Sequence, residues 1–179
     1  DAVTNELLQL ARPHLRCGKF MLVTPSGDEA FIERIFFDSM PAAHVEMVSI
    51  QPVGNVWLLK KFLKRVAQEA SSVELTFHCT SEHIVPLVLK NGLRTTHCEH
   101  GLFGAGAYVG SHAGLAHKYS SPNKQGWRRM FAVLVNVGKK LNEGKLLLKK
   151  SEVTCADRVW NPEQYCFFEA DRLFVSHLI

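Results

Sequence analysis

"ELTFHCTSEHIVPLVLKNGL", Glu74 to Leu93, is the stretch on which the reading of this chain turns. Glu74 to His78 is rich in β-formers and reads as a strand. Cys79-Thr80-Ser81-Glu82 is a polar break, and the apolar helix behind it ends at Asn91-Gly92, a common stop signal. A histidine therefore closes a buried-looking strand and faces a helix start. It is either a core histidine satisfied by the helix N-terminus or the edge of a site.

On the N-terminal side, Leu7, Leu8, Leu10, Ala11 and Leu15 recur at helical spacing within Val3–Leu15, with Thr4 as cap. Phe20–Val23 reads as a short strand. The turn Pro25-Ser26-Gly27-Asp28 opens a second helix, Glu29–Asp38, which stops near Pro41. His44–Gln51 reads as a strand, and Asn55 caps a long helix through Ala70 whose apolar face is Val56, Leu59, Phe62, Leu63 and Val66. On the C-terminal side, His100–Trp127 is glycine-rich, then a short helix, then a Ser-Pro-Asn turn. Met130–Val137 is almost wholly apolar and reads as a central strand. Leu141–Val153 is expected to be strand and loop, and Tyr165–Phe168 and Leu173–Leu178 to be closing strands. Helices first and short strands afterwards predict one α+β domain.

The 179 residues can bury a sizeable core without disulfides. With 46% hydrophobic and 21% charged residues the composition is that of an ordinary globular protein. No apolar run approaches the roughly 20 residues of a membrane span. The chain opens on Asp1 without a signal peptide and is expected to be a piece of something longer. Five cysteines (Cys17, Cys79, Cys98, Cys155, Cys166) are scattered singly, which predicts free thiols in a reducing compartment, cytoplasm or nucleus. The net charge of +4 is modest, and the paired cations, such as Lys60-Lys61 and Arg128-Arg129, read as a solvated surface. Nucleic acid is not the expected partner, and an anionic small ligand fits as well.

Taken singly, the candidate motifs are weak. Gly104-Ala105-Gly106-Ala107-Tyr108-Val109-Gly110 fails the dinucleotide fingerprint, because its third glycine falls one residue late, and it lacks the lysine and hydroxyl of a P-loop. Its glycines suit tight turns or a close approach of backbone to something flat. His97, Cys98 and His100 are three crowded ligands where a structural zinc site needs about four, so no metal is expected. His78 and Cys79 are neighbours on a strand, point to opposite faces, and cannot form a nucleophile pair.

In combination they say more. A strand ending Phe77-His78-x-Thr80 is followed, after a helix, by Leu102-Phe103-Gly104-x-Gly106-x-Tyr108. A second tyrosine follows in Lys118-Tyr119-Ser120, and then a hydrophobic strand pair near the C-terminus. This resembles the catalytic domain of the poly(ADP-ribose) polymerase family, the diphtheria-toxin-like ADP-ribosyltransferases. The similar blocks run from about Phe31 to Ile179. "IERIFFDSM" and "VEMVSIQPVGNVWLLKKFLKRV" are similar to the family's opening elements, "FHCTSEHIVPLVLKNGL" to its His-Gly-Thr strand and helix, and "YCFFEADRLFVSHLI" to its closing strands.

The resemblance implies an ADP-ribosyltransferase fold: two packed, mostly antiparallel sheets with flanking helices and an N-terminal helix. It assigns residues 25–179 to the catalytic domain and leaves the helix and short strand of residues 1–24 outside. It also implies NAD as substrate, transfer of ADP-ribose to a protein acceptor (the chain itself included), and release of nicotinamide. His78 would hold the adenine-side ribose, Tyr108 and Tyr119 would sandwich the nicotinamide, and residue 79 would bind the carboxamide through its backbone. Thr80 belongs to the same binding strand, and Phe103 and Gly104 to the loop covering the pocket.

Three positions depart from the family pattern. Cys79 stands for the glycine after the histidine, where its side chain would crowd the nicotinamide. Ala116 stands for a small hydroxyl residue three before the second tyrosine, a loss of one hydrogen bond worth about 0.5–1.5 kcal/mol. Gln164 stands for the catalytic glutamate of the polymerising members. An amide accepts a hydrogen bond from the ribose but brings no negative charge to an oxocarbenium-like transition state. The adjacent Glu163 would face the other way unless a bulge turned it. The expectation is a mono-ADP-ribosyltransferase that does not elongate chains; the alternative is an inactive binding module that keeps the fold.

Overall fold

The computed structural model describes residues 21–22, 29–40, 45, 49–69, 72–96, 101, 104–141, 153–157 and 164–179. The helix expected at Val3–Leu15 lies outside them. Four α-helices and nine strands are described: β1 (Met21–Leu22), α1 (Glu29–Ser39), β2 (Gln51–Gly54), α2 (Val56–Glu69), β3 (Val73–Thr80), α3 (Val85–Asn91), β4 (Ala107–Gly110), α4 (Ala113–Ala116), β5 (Arg129–Asn136), β6 (Lys139–Leu141), β7 (Val153–Asp157), β8 (Gln164–Phe167) and β9 (Leu173–Leu178). Three short 3-10 turns intervene, at Glu82–Ile84, His117–Tyr119 and Ala170–Arg172.

The strands pair in the order β1-β2-β9-β5-β3-β4-β8-β7-β6, antiparallel throughout except β6 with β7. The joint between β3 and β4 is a single register pair, Phe77 with Gly110, whereas β3 and β5 pair along eight residues. The ladder is thus two half-sheets hinged at one point. One apolar cluster joins them, with Val133, Val135 and Val175 from one half against Val109, Tyr165 and Phe167 from the other. Tyr165 reaches across to donate its hydroxyl to Glu74 of β3, 2.9 Å away. Packing of two antiparallel layers with helices outside is the expected α+β architecture.

β5 is central, with every residue from Met130 to Val137 buried, as an almost wholly apolar run requires of a strand covered on both faces. On α2, Leu59 and Phe62 are sealed against Leu134 and Phe174. Asn55 caps two helices. Its Oδ1 accepts from Leu58 N–H at the start of α2, and its Nδ2 donates to the carbonyls of Leu89 and Lys90 in the last turn of α3. Gly92 ends α3 at φ +71°, the conformation glycine adopts at a helix stop.

One expectation is corrected. The strand set at His44–Gln51 is found at Gln51–Gly54, and the described residues Val45, Ser49 and Ile50 lie outside any strand. Pro52 lies outside the short ladder with β1, which pairs only Val53 and Gly54, so on that side it has no bond to give up. The glycine-rich block also contains a strand, β4, for which the sequence gives no signal; four residues with a glycine at one end are too short to show a period.

Candidate active site

Beyond Phe77, β3 and β4 part, and a cavity of about 650 Å³ opens between them, a size typical of small-molecule sites. His78, Cys79 and Thr80 line it from β3, Tyr108 and Gly110 from β4, and Leu87, Asn91 and Arg94 from α3 and its exit. Ala116, Tyr119 and Gln164 close the remaining side. Eight of the nine residues singled out for the site are described: His78, Cys79, Thr80, Gly104, Tyr108, Ala116, Tyr119 and Gln164. All but Gly104 line the cavity, and Phe103 lies outside the described residues.

His78 spans the split. Its Nδ1 lies 2.8 Å from the Tyr108 carbonyl of β4. A carbonyl only accepts, so Nδ1 carries the proton and Nε2 is left as an acceptor while the ring is neutral. Burial pushes the His78 pKa below its ordinary value, and the bond to Tyr108 opposes this with the smaller effect. Neutrality and tautomer are therefore both set by the fold.

Cys79 presents its backbone to the cleft. Opposite it on β5 stands Met130, whose N–H and C=O both bond Ile179 on the far side. The Cys79–Met130 pair is thus not hydrogen-bonded, and strand alternation turns the N–H and C=O of Cys79 toward β4. Phe77, of the same parity, meets β4 at Gly110; at Cys79 the partner strand has already departed. The thiol is engaged on the β5 side. It donates to the Arg129 carbonyl at 3.2 Å and packs in an apolar cluster with Met130, Ala113 and Ala116. Burial pushes its pKa up, so the sulfur is a neutral thiol. Ala116 belongs to the same cluster and is 4% exposed, which makes this wall of the cavity apolar.

The two tyrosines are held differently. Tyr108 donates its hydroxyl to the Gly104 carbonyl at 2.8 Å, and the backbone at Gly101 lies against its ring, where an added Cβ would come within 2.2 Å. Tyr119 stands at the rim, 63% exposed. Its loop is anchored by Ser120, which donates to the Thr80 carbonyl at 2.9 Å, and by Asn123, which bonds Glu82. Gln164 Nε2 donates to the Tyr119 hydroxyl at 3.3 Å. Asn91, Arg94 and Leu87 were missed by sequence analysis: on an apolar helix nothing local marks which face meets a ligand.

The chain matches the profile of the poly(ADP-ribose) polymerase catalytic domain over residues 29–158. It belongs to that family and has the ADP-ribosyltransferase fold, and the domains of the family use NAD as substrate. A search of curated proteins returns no match. Gln164 lies beyond the matched segment and is tied to it by register, opposite Gly110 of β4 on one side and Asp157 of β7 on the other. Among the described residues, no three His, Cys, Asp or Glu side chains gather as a metal site would require, and no helix is long and apolar enough to cross a membrane. His97, Cys98, His100 and Glu163 lie outside the described residues.

Proposed function

We propose that the chain is an NAD-dependent mono-ADP-ribosyltransferase acting on a protein acceptor, with residues 25–179 as the catalytic unit. The observation that carries the reading is the cleft where β3 leaves β4, in which a neutral histidine and a backbone N–H and C=O face the same cavity. His78 Nε2 accepts from a hydroxyl of the adenine-side ribose and fixes the register of the dinucleotide. The N–H and C=O of Cys79 suit the complementary C=O and N–H of a primary carboxamide. Tyr108 and Tyr119 offer the nicotinamide ring two aromatic surfaces. Held so, the glycosidic carbon is presented to an acceptor in fixed geometry, the larger part of what such a reaction needs.

Single transfer rather than polymer follows from Gln164. An amide holds a ribose hydroxyl but cannot deprotonate the hydroxyl of a growing chain. The scattered cysteines support a reducing compartment, cytoplasm or nucleus. Free nicotinamide release from NAD, measured beside a His78→Ala variant, tests the reading. Turnover above background in the unaltered protein and at least tenfold less in the variant supports it.

One observation favours the second reading, a binding module without transfer. The backbone at Gly101 occupies one side of the Tyr108 ring, and the bond from Tyr108 to Gly104 keeps that loop in place. On this reading the chain transfers no ADP-ribose and releases no nicotinamide from NAD, whereas the transferase does both.

A further inference from the structure

The outer face of α2 runs against the local electrostatics of a helix. Its first turn holds no acidic residue and its last turn no basic one, so neither end answers the macrodipole. Lys60, Lys61 and Lys64 are all exposed, and no described carboxylate pairs with any of them. Lys64 lies four residues from Lys60 and three from Lys61, the spacings at which like charges on a helix repel. The carboxylate of α2, Glu69, is held by Arg65 and Arg172. A local rule broken in this way is a mark of function. Trp57 stands at the head of the same stripe, 62% exposed. Lys61 Nζ lies 3.6 Å from the centre of its ring, a cation–π contact that fixes the ammonium and covers one ring face.

The stripe adjoins the candidate active site. Leu58 packs against Gly92, where an added Cβ would come within 2.9 Å of its Cδ1, and Gly92 lines the cavity. Lys90 and Arg94, both exposed, continue the positive surface along α3 and its exit. Arg94 is the one charged side chain among the described residues that line the cavity.

We propose that the α2 stripe docks an acidic segment of the protein acceptor, outside the cavity, with Lys60, Lys61 and Lys64 facing its carboxylates. That the segment belongs to an acceptor rests on the transferase reading above; the docking itself does not. Carboxylates on alternate residues of an extended segment recur about 6.6–6.8 Å apart, close to the rise of about 6 Å between Lys60 and Lys64. Two observations favour a peptide over a nucleic acid. The exposed cations are lysines, whereas Arg65, whose planar fork suits phosphate, is held by Glu69 and Glu169. Bases stack on an open aromatic face, and Lys61 covers one face of Trp57.

The test is fluorescence anisotropy of a labelled peptide alternating glutamate and serine, titrated with the full chain. A glutamine–serine peptide and an oligodeoxythymidine of equal charge are the comparisons. The acidic peptide is expected to bind at least tenfold tighter than either, and less tightly as salt is raised. Lys60→Glu/Lys64→Glu is expected to lose at least tenfold in affinity. Its melting temperature should be unchanged or higher, because like-charge pairs are removed, and its nicotinamide release from NAD alone unchanged. Lys60→Gln/Lys64→Gln is expected to lose at least threefold, and it decides should the reversed variant fail to fold. Equal affinity in the unaltered chain and the variants would overturn the docking. Tighter binding of the oligodeoxythymidine, lost in the same variants, would overturn the choice of partner. An unaltered chain that releases nicotinamide but binds no acidic peptide would overturn the docking alone. One that binds the peptide but releases no nicotinamide would overturn the acceptor role together with the transferase reading.

Discussion

His78 does two jobs, and one substitution exposes both. It ties β3 to the Tyr108 carbonyl where the half-sheets separate, and it offers Nε2 to the cavity. Each hydrogen bond is worth about 0.5–1.5 kcal/mol. His78→Ala is therefore expected to weaken NAD binding roughly tenfold by calorimetry, with the melting temperature lowered as well because the hydrogen bond that joins β3 to β4 is lost. The pH dependence has a definite sign. The folded-state pKa lies below the ordinary value of 6.5, chiefly through burial, so below about pH 6.5 the unfolded chain takes up a proton that the folded chain resists. The stability associated with His78 is complete above that pH and is lost as pH falls through it. Melting temperatures between pH 8 and pH 5 are expected to decline on the acid side in the unaltered chain and less steeply in His78→Gln. His117 shifts in the same direction, mainly through partial burial, so His117→Gln is the matched control.

At the scale of elements, Asn55 and the loop before β4 make the sharpest predictions. Asn55 joins the start of α2 to the end of α3 by three hydrogen bonds. Asn55→Ala is expected to cost about 1–2 kcal/mol in urea denaturation, the upper range for a lost cap, because two helix ends lose partners together. Gly101→Ala drives a Cβ into the Tyr108 ring, so the loop must lift; hydrogen exchange is expected to quicken across residues 101–106 while β5 stays protected. These elements also show what sequence can reveal. The capping role of Asn55 and the stop at Asn91-Gly92 are written in residue types at fixed offsets, and β9 announces itself as Leu173–Leu178 by its apolar run. β4 is hidden because the glycines around it serve close packing, Gly106 just before it against Cys166 and Gly110 at its end against Leu115. The pairing of Gln164 with Asp157 is invisible too, for register is decided by the strands' common partners and not by any local signal.

Across the whole molecule the two half-sheets and their helices must hold one relative placement, since the site lies where they part. Beside the apolar core, a partly buried ion network around one buried arginine holds the far end. Arg172, 2% exposed, makes two hydrogen bonds to the Glu69 carboxylate at 2.7 and 2.8 Å and lies 3.4 Å from Glu169. Arg65 bridges Glu69 and Glu169 in turn. Breaking such a buried pair by removing one partner typically costs about 3–5 kcal/mol. Arg172→Met is expected near the lower limit, because Arg65 still neutralises Glu69, and the loss is read from the urea midpoint. Much of the candidate site is legible in the sequence because the histidine and both tyrosines lie in ordered blocks and line one cavity. The seating of Cys79 is not, because the direction of a thiol on a strand depends on which neighbour bonds the backbone.

The central claim is that this cleft cleaves NAD and transfers one ADP-ribose at a time. Intact mass spectrometry of the protein after incubation with excess NAD, beside His78→Ala, tests it most directly. The account predicts one or a few discrete ADP-ribose increments that are absent from the variant. A long ladder of increments would contradict the reading of Gln164, and an unchanged mass with no nicotinamide released would contradict the transferase itself.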